Sequence, residues 1–196
     1  MTRGSLPLLL SFALGGVQAG PLQVTVTDAA GKPLADAAVF LESPAAKAQV
    51  RPLPGVELGQ QNKQFEQRVL LVTAGTAVAF PNRDTVRHHV YSFSPTKPFE
   101  LKLYIGTPAN PVLFDRAGIA VLGCNIHDQM AAWVVVVETP YHALTGATGT
   151  ARLSDVPPGN YRLRTWHPNL PPGAAALDQA LTVAPAGGAV TVKLAS

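Results

Sequence analysis

Apolar and polar residues alternate along both ends of the chain. Leu22, Val24 and Val26 are separated by polar residues, the pattern breaks at residues 28–33, and apolar residues resume at 38–41. Alternation interrupted by Gly and Pro is typical of a strand, a turn and a second strand. The same pattern returns later, in residues 149–153, 161–166, 181–183 and 190–194. None of these stretches has a sustained helical period, so we predict strands in all of them.

The middle of the chain has longer apolar runs. Its strand candidates are residues 69–72, 76–80, 90–93, 112–114, 119–122 and 133–137. Turn signals such as Thr73-Ala-Gly75 separate these runs. Many short strands with frequent turn signals indicate a β-sandwich or a β-barrel. We therefore predict an all-β protein.

These two sequence patterns, alternation at the ends and longer apolar runs in the middle, divide the chain into candidate domains. Residues 20–43 and 143–196 together are long enough for one small sandwich, and residues 44–142 are long enough for another. We predict that the middle segment is inserted in a loop of the outer one, where insertions are tolerated. The alternative is a tandem order, in which the first strands belong to the middle domain.

Composition excludes several classes of protein. The 196 residues carry 15 Lys+Arg against 12 Asp+Glu, and 47% of residues are hydrophobic, which argues against disorder. No run of Lys or Arg is long enough to indicate a nucleic-acid surface, so we expect no nucleic-acid partner. The single cysteine, Cys124, excludes an intrachain disulfide.

The first nineteen residues have the pattern of a secretory signal peptide. Arg3 is followed by an apolar run over residues 6–17 and by a small-residue ending at Ala19. That run is short for a membrane span, so we predict cleavage after Ala19, export to the periplasm and no stable membrane insertion afterwards. The alternative is an uncleaved anchor.

Scarce residue types gather on one short segment. Cys124, His127 and Met130 have the spacing C-x2-H-x2-M between two strand candidates, and His88 and His89 lie at the edge of an earlier strand. A tight loop can point the three side chains at one centre. Thiolate, thioether and imidazole together favour copper, whereas zinc takes four firm N, S or O ligands. The residues therefore indicate a copper site.

These segments resemble the cupredoxins, in particular the amicyanin-like and methylamine-utilisation-like periplasmic proteins. The resemblance lies in residues 62–65, 72–82, 87–95 and 123–130. It implies a cupredoxin Greek-key β-sandwich over residues 44–142. It also implies one mononuclear type 1 (blue) copper site, whose ligands match His88, Cys124, His127 and Met130. His89 stands where the family usually has Asn or Thr, which leaves either His88 or His89 as the upstream ligand.

The flanking segments resemble a carboxypeptidase regulatory-like (transthyretin-like) module. Residues 26–39 look like its opening hairpin, and residues 149–163 look like its later strands around a Pro157-Pro-Gly159 turn. The resemblance implies a second, small β-sandwich built from the two ends of the chain.

The cupredoxin resemblance implies a carrier of single electrons with a redox protein as partner. The alternative is a protein that stores, delivers or senses copper without carrying electrons. An enzyme would use Cys124 as a nucleophile, or further copper ions with more histidines than His89, His142 and His167 supply. We therefore expect no enzymatic activity, and the sequence predicts no oligomeric state.

Overall fold

The computed structural model describes residues 20–195, and nearly all of its regular structure is β. The predicted signal peptide lies outside these residues. In chain order the strands are β1 (Leu22–Thr27), β2 (Ala38–Glu42), β3 (Val56–Glu57), β4 (Gln60–Gln61), β5 (Gln64–Phe65), β6 (Val69–Thr73), β7 (Thr76–Ala79), β8 (His88–Ser92), β9 (Phe99–Tyr104), β10 (Val112–Phe114), β11 (Gly118–Cys124), β12 (Ala131–Val137), β13 (His142–Leu144), β14 (Thr150–Leu153), β15 (Gly159–Trp166), β16 (Leu177–Val183) and β17 (Gly188–Lys193). One short helix, α1 (Pro44–Lys47), follows β2. The all-β prediction is confirmed.

Strands from both ends of the chain form the outer sheet pair. One sheet has the order β14-β1-β17, in which β1 is antiparallel to β14 and parallel to β17. The other has the order β13-β2-β15-β16 and is antiparallel throughout. Alternate side chains of β1 meet those of β2 in a buried outer cluster, which includes Val24, Val26, Val39, Leu41 and Leu163. The alternation of β1 is therefore that of a strand with one buried face.

The middle of the chain forms the central sheet pair. A five-stranded sheet has the order β6-β12-β11-β8-β9, and a three-stranded sheet has the order β10-β7-β3. Their facing side chains form the central cluster, which includes Phe80, Phe114, Leu122, Cys124 and Met130. The β4–β5 hairpin is a separate two-stranded ribbon. The predicted metal ligands Cys124 and Met130 thus lie at the edge of an apolar core.

A third cluster joins the two sheet pairs and explains the uninterrupted apolar strands. In β12, Val134 and Val136 belong to the central cluster, while Val135 and Val137 belong to this seam cluster. Strands β6 and β2 divide their side chains between two clusters in the same way. The buried members of the seam cluster are Ala38, Phe40, Val69, Leu71, Val135, Val137 and Trp166. Because both faces of these strands are buried, each contains at least four consecutive apolar residues.

The chain is therefore stacked in four sheet layers with three apolar clusters between them. The pairing of β1 and β2 with strands after residue 141 is the pairing that a nested arrangement requires. The domain boundaries, and the likeness of the flanks to a regulatory-like module, stay predictions. Among the residues described, no helix has the length and apolar character needed to cross a bilayer.

Candidate metal centre

Two neighbouring strands bring His88 and Cys124 together. Cys124 lies at the end of β11 and pairs directly with Val90 of β8. Residues paired across two strands point to the same face, and so do residues two apart along one strand. His88 therefore shares the face of Val90 and Cys124. His127 follows in the loop between β11 and β12, three residues after Cys124.

The nitrogen and sulfur atoms of these three residues face one another. Cys124 Sγ lies 3.8 Å from His88 Nδ1 and 3.9 Å from His127 Nδ1. The three donor atoms all lie within 4.8 Å of one another. In a trigonal site, the metal–sulfur bond is about 2.3 Å and the metal–nitrogen bonds are about 2.0–2.1 Å, with angles of about 120°. Each nitrogen then lies about 3.8 Å from the sulfur. The arrangement thus fits a bound metal ion.

The donors differ in their exposure. His88 is fully buried, and Cys124 and Met130 are 3% and 1% exposed. His127 is only partly buried, and its ring meets that of His88 edge to face at 5.0 Å between centroids. The His127 carbonyl accepts a hydrogen bond from the backbone N–H of Met130, which closes the loop. Met130 therefore packs beneath the loop in the central cluster, and its role as an axial ligand stays a prediction.

His89 lies on the opposite face of β8. Its Nε2 is 2.7 Å from Glu100 Oε1 on the neighbouring strand β9. The hydrogen bond with His89 is the main reason why the pKa of Glu100 is below its usual value. The structure thus groups His88, and not His89, with Cys124 and His127.

Asp84, which the sequence analysis did not single out, contacts the His88 ring on the side away from Cys124. Asp84 Oδ2 lies 2.8 Å from His88 Nε2, the nitrogen that faces away from Cys124. Burial raises the pKa of Asp84, but hydrogen bonds from His88, Lys63 and Asn62 outweigh burial and hold that pKa below its ordinary value. The only signal in the sequence is an aspartate four residues before the histidine.

Buried polar side chains surround the site on the β9 side. Tyr104 pairs with His88 across the sheet, and its hydroxyl accepts a hydrogen bond from Gln60 Nε2. Burial raises the pKa of Tyr104 to about 12, and the nearby Cys124 adds to this increase. Asn82 Nδ2 donates to the carbonyls of Val86 and Tyr104. These bonds hold the loop that leads into His88.

A glycine allows the close approach of the two strands beside the thiol. A Cβ added to Gly123 would lie only 2.8 Å from the ring of Tyr91, with which Gly123 pairs. A larger residue would therefore force the end of the Tyr91 ring to move out of its place beside Gly123.

The two remaining histidines lie away from the donor group. His167 Nε2 donates to the carbonyl of Ala35, and its Nδ1 accepts from the backbone N–H of Asn169. His142 lies on β13, where burial lowers its pKa. In residues 20–195, the only group of three or more His, Cys, Asp or Glu placed to hold a metal is His88, Cys124 and His127.

Comparisons with known proteins found similarity among solved structures alone. No family model matches the chain, and no curated protein matches it. A mutant of amicyanin with Cu(I) is 23% identical over 50% of this chain and 98% of its own, with a TM-score of 0.38. A copper-containing nitrite reductase from Thermus scotoductus is 24% identical over 57% of this chain and 28% of its own, with a TM-score of 0.40. A purple cupredoxin from Nitrosopumilus maritimus is 18% identical over 42% of this chain and 99% of its own, with a TM-score of 0.36.

Proposed function

We propose that the protein holds one copper ion at His88, Cys124 and His127 and carries single electrons between redox partners. Met130 serves as the weak axial ligand. The observation that carries the proposal is the pair of S···N distances, 3.8 and 3.9 Å, which match a trigonal site.

The donor set favours copper over zinc. Two imidazoles and one thiolate in a plane, with a thioether in the same loop, are the donors of blue-copper electron-transfer sites. A structural zinc site takes four firm ligands, and only three such residues meet here among the residues described. Copper supplies a one-electron couple at such a site.

The surrounding residues hold the donors in place and leave one edge open. His88, Cys124 and Met130 are buried, so their positions are fixed by packing. His127 is partly exposed, beside the exposed Ile126. Electrons would therefore enter and leave through the His127 edge, where a redox protein docks. This role involves no substrate and no enzymatic turnover.

One set of spectra tests the proposal. Copper(II) added to the apoprotein should give an intense visible band from thiolate-to-copper charge transfer, and the band should bleach on reduction and return on oxidation. Cys124→Ser should lose the band completely. His89→Gln, a change of the neighbouring histidine outside the donor group, should keep it. A colourless wild type that passes copper to chelators would instead support storage or delivery.

The export of the protein is also proposed. We infer that residues 1–19 direct the chain to the periplasm and are removed there. Cell fractionation and N-terminal sequencing of the mature protein test this inference, with Gly20 as the expected first residue. A protein found in the membrane fraction with Met1 still present would contradict it.

A further inference from the structure

The Asp84 carboxylate is held by hydrogen bonds on both oxygens. Its Oδ1 accepts the backbone N–H of Asn62 at 2.7 Å, and its Oδ2 accepts the backbone N–H of Lys63 at 2.9 Å. The same Oδ2 lies 2.8 Å from His88 Nε2. The carboxylate thus has one orientation, and in that orientation it meets the histidine ring.

The two backbone donors come from an unusual turn. Asn62 and Lys63 connect β4 to β5, and both have positive φ, at 55° and 57°. Positive φ at both central residues is what a type I′ hairpin turn requires, and such turns favour Asn-Gly because a side chain such as that of lysine disfavours this conformation. The turn aims two adjacent N–H groups at Asp84, and their bonds to the carboxylate offset the unfavourable conformation of Lys63.

The residues before Asp84 fix its backbone. Asn82 Oδ1 accepts the backbone N–H of Asp84 at 2.9 Å. The Arg83 guanidinium bonds to Glu57 and Glu66, both at 2.8 Å, on the two sides of the β4–β5 hairpin. Asp84 is therefore placed by its own loop as well as by the turn that it contacts.

We propose that Asp84 is a positioning residue for the metal centre, which fixes the His88 ring with Nε2 protonated and Nδ1 free to bind copper, and that the β4–β5 turn exists to hold this carboxylate. The inference depends on the proposed copper site. The geometry supports it directly, because Nε2 faces Asp84 while Nδ1 faces Cys124 Sγ. A carboxylate that accepts the Nε2 proton also makes the imidazole a stronger donor.

A stronger imidazole donor stabilises Cu(II) more than Cu(I). Asp84 should therefore raise the affinity for Cu(II) and lower the reduction potential. Removal of such a partner typically weakens metal binding about 10- to 100-fold. For a one-electron couple, each tenfold change in the ratio of Cu(II) to Cu(I) affinity shifts the potential by about 59 mV.

The test replaces Asp84 in a background that keeps the turn. Asp84→Asn removes the charge and replaces one acceptor oxygen by a donor NH2 group, which loses at least one acceptor interaction and could unfold the hairpin. Lys63→Gly restores the preferred Asn-Gly turn, so the comparison is between Lys63→Gly alone and Lys63→Gly with Asp84→Asn. Glu100→Gln is the matched control, because it alters the adjacent His89–carboxylate pair, which lies outside the donor group.

The expected results separate positioning from general stability. Asp84→Asn should weaken Cu(II) binding about 10- to 100-fold and raise the reduction potential. Glu100→Gln should change the Cu(II) affinity by no more than about twofold and leave the reduction potential unchanged. In the diamagnetic Cu(I) protein, NMR should show a slowly exchanging His88 Nε2 proton that exchanges faster in Asp84→Asn, because a neutral amide oxygen is a weaker acceptor than a carboxylate. An unchanged potential and an unchanged exchange rate in a folded Asp84→Asn protein would overturn the inference.

Failure of the copper proposal gives a different result. If the wild type binds no copper, the proposed function fails. The His88 Nε2 proton of the apoprotein then still reports whether Asp84 fixes the ring. If the wild type binds copper but Asp84→Asn behaves like Glu100→Gln, only the role of Asp84 is wrong.

Discussion

The outer and central sheet pairs bury polar side chains for different purposes. In the outer pair, the Thr145 hydroxyl donates to the Leu34 carbonyl and accepts from the Ala37 backbone, and His167 bonds to Ala35 and Asn169. These two side chains each join two backbone segments. In the central pair, Asp84 and Asn82 hold the loop around His88, whose Nδ1 is left facing Cys124 and His127. The comparison teaches how a metal site differs from structural polar groups. Its nitrogen and sulfur atoms still face one another after the surrounding hydrogen bonds have been made.

The largest expected effect comes from a charge placed between the two sheet pairs. Val135 is 2% exposed in the seam cluster, so Val135→Asp should cost more than about 4 kcal/mol or prevent folding, because an unpaired carboxylate is costly to bury. Val121→Asp, on the neighbouring strand β11, is the control, because Val121 is 48% exposed. Urea unfolding of the apoproteins measures both. Equal stability of the two variants would show that the seam is not closed in solution.

Large-to-small changes in the two cores should separate stability from copper binding. Leu163 in the outer cluster and Leu122 in the central cluster are both fully buried, and replacement of either by alanine should cost about 2–5 kcal/mol. Leu122 lies two residues before Cys124, so Leu122→Ala should also weaken copper binding. Leu163→Ala should leave the copper affinity within about twofold of the wild type. Unfolding with and without copper measures both quantities, since bound ligand adds a stabilisation set by its affinity. A loss of copper affinity in Leu163→Ala would show that the two sheet pairs are coupled.

Acid should destabilise the outer pair through its two histidines. Burial lowers the pKa of both His142 and His167, so the unfolded chain binds protons at a higher pH than the folded one. Their contribution to stability is present above about pH 6.5, the usual histidine pKa, and is lost as the pH falls through the folded pKa values. The double change His142→Gln and His167→Gln should flatten the fall in stability below pH 6.5. Thermal unfolding of the apoprotein across this pH range measures it, and an unchanged slope would contradict the assignment.

The smallest expected effect concerns an exposed ion pair. Lys47 Nζ lies 2.6 Å from Glu138 Oε2, with 63% and 40% of the two side chains exposed. Exposed pairs contribute about 0–1 kcal/mol, so Lys47→Ala should change the free energy of unfolding by less than about 1 kcal/mol. Urea unfolding at low and high salt measures this difference. A larger loss that persists at high salt would mean that α1 contributes through packing instead.

The strands and the donor loop could be predicted from local sequence, while the seam and Asp84 could not. Alternation at Leu22, Val24 and Val26 predicts one buried face. The run at residues 133–137 indicates a buried strand but does not say which partner covers its second face. The same limit applies to Asp84, because its contacts with Asn62 and Lys63 exist only after a distant hairpin has folded against it.

The choice between His88 and His89 as the upstream ligand also depended on the three-dimensional structure. Alternation along β8 places His88 and His89 on opposite faces of the sheet, and no local pattern says which face meets Cys124. Pairing of Cys124 with Val90 then decides which histidine shares the face of the thiol. The spacing C-x2-H-x2-M identified the donor loop, whereas the pairing of β8 with β11 shows that His88 is the histidine that faces it.

The position of β1 has a consequence for the time course of folding. β1 lies between β14 and β17, and its parallel partner β17 is about 165 residues later in the chain. Such distant pairing gives a high contact order, which slows folding. Until β17 is present, one edge of β1 exposes unpaired backbone groups that can pair with another chain. The β1 edge is therefore open to pairing with other chains until β17 has joined it.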